Sequence, residues 1–312
     1  MITRQRLRPH KVMTYIWKEL VLAAVVSSVA LWLGTQYHYK WLALNYAPFA
    51  VLGTALSIFL AFRTNSAYTR WSQAAASWMT MQSSSRVFVR LIKTITNGHK
   101  NLPTYNKKAS DAYIEEVAQR QIAWINVVRL TLRDQDNWEE VEPYLTKDDF
   151  KAMKTMQNKP AYLMARQGER IYDALGSGIL QGFDSLQLET QLSILATAQA
   201  NTEQIKRITI PRPYGFFTHV FVQVYIAIAP AFLLGIFVAS GVAWAVIPMT
   251  LLIAFLFAPI DALGGIIERP FENAVNDVPI AAISRNAERD ILEVIGKHDL
   301  PAVVTPENGF LF

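Results

Sequence analysis

Residues 213–260 read PYGFFTHVFVQVYIAIAPAFLLGIFVASGVAWAVIPMTLLIAFLFAPI, without one Asp, Glu, Lys or Arg. A crossing of a bilayer's hydrocarbon layer takes about 20 apolar residues. The stretch therefore holds two crossings, hinged where Ala239-Ser240-Gly241 interrupts the large apolar side chains. Two shorter uncharged runs precede it, residues 20–39 and 41–62, each with room for one crossing. Four segments follow, centred on Leu22 to Leu33, Pro48 to Phe62, Phe217 to Val238 and Val242 to Phe257. The rival reading is four core helices of a soluble protein. Core helices of this length usually carry a charged outer stripe, which these lack.

Composition agrees. Of 312 residues 52% are hydrophobic and 18% charged, and the mean hydropathy of +0.17 implies a surface that partly faces lipid. Tyr37, Tyr39, Trp41 and Tyr46 lie between the first two segments, where an aromatic belt belongs. Arg4, Arg6, Arg8 and Lys11 precede the first segment and only Lys40 charges the loop after it, which places the N-terminus inside. Four crossings then return the tail to the same side. The expected organisation is one unit, with crossings in 20–62 and 213–260 and cytosolic parts in 63–212 and 261–312. No small-residue cleavage site follows the first apolar stretch, so the basic start reads as an anchor flank and not a cleaved signal. The net charge of +5 is spread among acids, without the basic, aromatic-interleaved patch of a nucleic-acid binder. Cysteine is absent, which removes disulfides, thiol catalysis and Cys-ligated metals.

The fold class is all α, since no alternating strand pattern or internal repeat appears. One helix is predicted from Pro48 through Arg63, Arg70 and Arg90 to Ile95, roughly 70 Å long, with a stop at Asn97-Gly98. Further helices are predicted over Asp111 to Arg133, Thr146 to Met156, Pro160 to Leu175 and Ser185 to Ile208, and from Pro279 to about Lys297. Thr146-Lys147-Asp148-Asp149 resembles a capping box with Asp in place of the final Glu. Ile114, Val117, Ile122 and Val128 share a helix face, read as packing.

No phosphate loop, zinc helix, nucleophile elbow or dinucleotide turn is present. His10, His38, His99, His219 and His298 are scattered, and His219, beside a crossing, reads as interfacial or packing. The crossings carry no charge in their interiors, which argues against proton-coupled transport. A pore lined by neutral groups stays open. Thr54, Ile58 and Phe62 are spaced by four, rising about 12 Å along one helix face. Spacing alone favours lipid or neighbouring helices as their contacts over a pore.

The run Ala55-Leu56-Ser57-Ile58-Phe59-Leu60-Ala61-Phe62-Arg63-Thr64-Asn65-Ser66-Ala67-Tyr68-Thr69-Arg70-Trp71 resembles the second helix of bacterial bestrophins. Glu203 to Pro211 and Asp261-Ala262-Leu263 to Glu268-Arg269-Pro270-Phe271 resemble two further segments of that family, in the same order. The resemblance spans nearly the whole chain. It implies a homopentameric channel of the inner membrane, passing small monovalent ions through one central pore, with partners limited to copies of itself, ions and lipids. Its neck would be ringed by Thr54, Ile58 and Phe62. Its cytosolic aperture would lie at Phe183, or at Ile179 or Leu186 if the register slips. Chloride or other anions are favoured by the family. A cation channel of the same fold and a non-conducting membrane scaffold remain as rivals, and an enzyme fits least. No cofactor, metal or nucleic acid is implied.

The chain departs from the family pattern at several places. Thr54 stands where an apolar residue is usual, which predicts a wet outer end to the neck. Ala61 replaces a glycine and Thr64 an asparagine, and Glu272 replaces the glycine after Pro270-Phe271. Only Glu272 and Asp277 are acidic between Pro270 and Pro279, too few for a calcium ion that wants about six to eight oxygens.

Overall fold

The structure, a computed structural model, describes residues 9–36, 44–103, 105–306 and 309–311. Among them lie nine α-helices and no strand: α1 (Pro9–Gln36), α2 (Tyr46–Gly98), α3 (Lys107–Leu132), α4 (Lys147–Thr155), α5 (Lys159–Gly176), α6 (Asp184–Arg207), α7 (Arg212–Ala239), α8 (Val246–Ile267) and α9 (Ile280–Val294). They group into two compact units. One takes the described residues up to Trp71 together with Thr209–Arg269, and the other takes Ser72–Ile208 with the described residues from Pro270 onward. The 53-residue α2 gives its first half to one unit and its second half to the other. The belt residues Tyr37, Tyr39 and Trp41, with Lys40 and the side chains of Arg4, Arg6, Arg8 and Lys11, lie outside the described residues.

In the first unit α1, α7 and α8 pack on one another. Four described helical stretches are long and apolar enough to cross a membrane: Met13–Gln36, Tyr46–Asn101, Pro213–Ala239 and Ala243–Ile267. Its core gathers Ala23, Phe49, Leu56, Leu60, Val222 and Ile226, and the Phe49 ring stacks on Tyr225 at a centroid separation of 4.2 Å. Gly53 permits that approach, because a β-carbon there would lie 2.3 Å from the Tyr225 hydroxyl. Large apolar side chains also point outward, among them Val25, Trp32, Phe255 and Leu256. A soluble core helix would turn such residues inward. The soluble rival therefore fails, and the chain is a membrane protein.

Hydroxyls inside these spans cost little because each donates to its own helix. Ser27 reaches Ala23 O at 2.6 Å, Ser57 reaches Gly53 O at 2.8 Å, Thr218 reaches Tyr214 O at 2.8 Å and Thr250 reaches Val246 O at 2.8 Å. The donor that lipid could not satisfy is thus satisfied within one turn. The expected hinge forms where α7 ends at Ala239. Gly241 takes φ +75, and a short 3₁₀ turn over Ala243–Ala245 leads into α8.

The second unit is built around α3. Every residue from Arg120 to Leu130 is buried, so this helix has no solvent face there, and the one-sided stripe expected from Ile114, Val117, Ile122 and Val128 is corrected to burial on all sides. Polar side chains survive inside because they are partnered. Gln121 donates to Ser85 Oγ at 2.9 Å, Gln167 donates to Val117 O at 3.1 Å, and Trp124 Nε1 donates to Gln199 Oε1 at 3.2 Å. Arg120 joins Glu116 at 2.8 Å and Asp149 at 3.0 Å. Caps set the helix starts. Thr146 accepts from Asp149 N at 3.1 Å, as its capping pattern predicts, and Asn106 and Asn158 cap α3 and α5 in the same way. Helix α9 stops at Val294, short of Lys297, because Gly296 turns the chain at φ +89.

Candidate functional site: one face of the second helix and the charges at its end

Within the membrane unit α2 divides cleanly by face. Phe49, Gly53, Leu56, Leu60, Arg63 and Ala67 recur at spacings of three and four and are all buried. On the other side Thr54, Ile58 and Phe62 form a line of exposed side chains, Ile58 51% and Phe62 63% accessible. Exposed Asn65 continues it. The Thr54 hydroxyl donates to Ala50 O at 3.0 Å, so its proton is spent on the helix while its oxygen can still accept.

Phe62 is followed by a charge that the apolar run conceals. Arg63 and Asp261, read from sequence as the first charges beyond the crossings, are only 8% and 7% exposed. The runs read as crossings stay uncharged, and these two charges lie just past them. The helices of this unit run past those residues, to Trp71 in α2 and Ile267 in α8, so the charges sit among packed helices. The Arg63 guanidinium pairs with Asp261 Oδ1. His219 Nδ1 lies 2.7 Å from the other carboxylate oxygen, and Gln223 Nε2 lies 2.9 Å from His219 Nε2. A chain of four polar groups thereby ties α7, α8 and α2 together. His219, expected to be interfacial or packing, is a hydrogen-bonding member of it.

Glycines make room for this chain. A β-carbon at Gly215 would stand 3.3 Å from Arg63 Nη2, and those at Gly264 and Gly265 would stand 3.7 Å from Arg63 nitrogens. The guanidinium rests on bare backbone from two helices. Close by, Arg70 Nε donates to Glu268 O at 2.9 Å, and the exposed Tyr68 ring stacks near Trp71 at 6.3 Å. Pro211 caps the start of α7.

In the second unit Phe183 is the N-cap residue of α6 and is 81% exposed, a large apolar ring offered almost whole to its surroundings. Leu186 is exposed as well, whereas Ile179 is half-buried. The turn carrying Phe183 contains Gly178 at φ +78 and Gly182 at φ +50, and is fastened by His99 Nε2 to Asp184 Oδ2 at 2.8 Å.

The loop from Pro270 to Pro279 spends its acids internally. Glu272 pairs with Lys206 at 3.2 Å, and Lys206 also meets Asp134 at 2.8 Å. The left-handed step of this turn falls on Asn273, at φ +62, so the glycine missing at 272 is not needed there. Pro270 and Phe271 are buried. Asp277 is buried and accepts from Ala274 N at 3.0 Å, and burial pushes its carboxyl above the ordinary range despite that bond and the charge of Arg133. Among the described residues no three His, Cys, Asp or Glu side chains converge as a metal site.

Comparison with known proteins places the chain in a lineage. The family model described as bacterial/fungal bestrophin protein matches residues 5–293. The chain is 27% identical over 299 residues to the voltage-dependent anion channel-forming protein YneE of Escherichia coli O157:H7, covering 96% of this chain and 93% of that protein. It is 25% identical to the protein of the same description, mll4386, from Mesorhizobium japonicum, covering 93% and 87%. A crystal structure of a bacterial bestrophin homologue from Klebsiella pneumoniae shares the fold with a TM-score of 0.81 at 23% identity, covering 91% of this chain and 99% of that one.

Proposed function

Because this chain belongs to the bacterial and fungal bestrophin family, we propose that it is an anion channel in which several copies, five by family resemblance, surround one axis. The observation that carries the reading is the exposed line Thr54, Ile58 and Phe62 on a helix whose opposite face is fully packed. Around an axis these residues form stacked rings. A dry apolar ring opposes an ion by removing its hydration, whatever the ion's sign, so the rings at Ile58 and Phe62 govern conductance more than selectivity. Phe183, in the second unit, forms the narrowing on the cytosolic side.

The channel lies in the inner membrane with both termini in the cytosol, as the basic residues before the first crossing favour. Anions are the permeant species because the curated relatives bear names of anion channels. Its role is conduction, not catalysis. The acids of the Pro270 to Pro279 loop are occupied by Lys206 and by a backbone amide, so calcium does not activate it. The test is purified protein in liposomes under a chloride gradient. The reading expects the gradient to dissipate, a reversal potential near that of chloride, and no change on adding calcium. A reversal potential on the cation side would replace the anion channel with a cation channel, and an undissipated gradient would leave a membrane scaffold.

A further inference from the structure

We propose that Gln223, His219, Asp261 and Arg63 act as a proton-sensitive positioning network for the neck, with His219 as the group that takes up the proton. The inference rests on the neck reading above and adds its control. Each carboxylate oxygen of Asp261 has its own partner, Arg63 on one side and His219 Nδ1 at 2.7 Å on the other. Arg63 directly follows Phe62 in α2, so the direction of the ring-forming side chain depends on where the guanidinium is held. Among the described residues the charged groups bonded to His219 or to its partner are Asp261 from α8 and, across that carboxylate, Arg63 from α2. Its neighbour on α7 is the neutral Gln223.

In the neutral imidazole Nδ1–H donates to Asp261 and Nε2 accepts from the Gln223 amide, so every partner is satisfied. Proton uptake changes both ends. Nε2 becomes a donor facing a donor, and the Gln223 amide must turn its oxygen inward. Asp261 then carries two cationic partners, and its hold on Arg63 is diluted. The network passes from zero net charge to +1 per copy. Histidine is the side chain whose charge ordinarily changes between about pH 5 and 8, and the His219 side chain is 43% exposed in one copy. A loosened Arg63 relaxes the Phe62 ring, and added positive charge near the neck favours anion entry. The two effects share a sign, so acidification raises anion flux.

The test is chloride flux through the full-length protein in liposomes at about pH 5, 6.5 and 8, comparing the wild type with His219→Gln, Gln223→Met and Ile58→Ala. Wild-type flux is expected to rise several-fold toward acid and His219→Gln to give a flat profile. Gln223→Met, which removes the amide that must turn, is expected to keep the rise but displace it along the pH axis. Ile58→Ala is expected to raise flux at every pH while keeping the rise, and failure of that variant alone would count against the neck and not against the network. A flat wild-type profile, or a rise that persists unchanged in His219→Gln, would overturn the proposal.

Discussion

The two units bury charge by opposite logic. In the membrane unit the ion pair of Arg63 with Asp261 sits against glycine backbone near exposed apolar side chains, and its carboxylate is further bonded to His219, which in turn meets the uncharged amide of Gln223. In the second unit Arg120 and Asp149 belong to a web with Glu116, Arg166 and Arg170 inside a helical body. A pair with few neighbours is free to respond to one proton. A web with many is fixed, and its worth lies in stability. Both units also expose large apolar side chains, Ile58 and Phe62 in the first and Phe183 and Leu186 in the second.

The comparison can be broken most severely at Arg120. Arg120→Met strips a buried partner from Asp149 and Glu116 and is expected to cost roughly 3–5 kcal/mol. It should show as a large drop in the thermal unfolding midpoint in detergent, partly restored by adding Asp149→Leu. The membrane unit is tested next at Gly53. Gly53→Ala forces a β-carbon against the Tyr225 hydroxyl and should cost about 1–3 kcal/mol by overpacking. Tyr225→Phe in the same chain should recover part of that loss, whereas full stability of Gly53→Ala alone would contradict the packing described.

Acid gives a smaller and graded effect. Burial opposes the charge of Glu116 and Asp149, yet Arg120, with Arg170 on the first and Arg166 on the second, holds both below their ordinary values of 4.5 and 3.8. A depressed folded value means that the stabilisation is complete above those ordinary values and is lost as pH falls through the lower, folded ones. Arg170→Gln should therefore move the acid-unfolding midpoint to higher pH. Asp277 marks the opposite case, since its carboxyl is raised by burial. Asp277→Asn keeps an oxygen to accept from Ala274 N and should change stability by no more than about 1 kcal/mol.

Much of this was legible in the residues. Charge gaps located the four apolar spans, Asn97-Gly98 marked the end of α2, and Thr146 announced its cap, because each depends on a local chemical rule. The buried pair was not legible in that way. A gap in charge ends at its first Arg or Asp by definition, and nothing in a single run tells that Arg63 and Asp261, far apart in the chain, neutralise each other between helices. Residues 213–260 contain His219 and Gln223, but the bond of His219 to Asp261 is a property of α7 packed on α8. The burial of α3 on all sides escaped for a related reason. Its arginines and glutamines break the apolar pattern, and only their partners on other helices make them tolerable inside.

Chloride efflux from liposomes containing Ile58→Ala or Phe62→Ala protein bears most directly on the claim that these rings form the neck. The account predicts several-fold faster efflux than wild type in both, with the reversal potential unchanged. Unaltered efflux in both variants would mean that those side chains meet lipid or a neighbouring helix, and that the path for ions, if there is one, runs elsewhere.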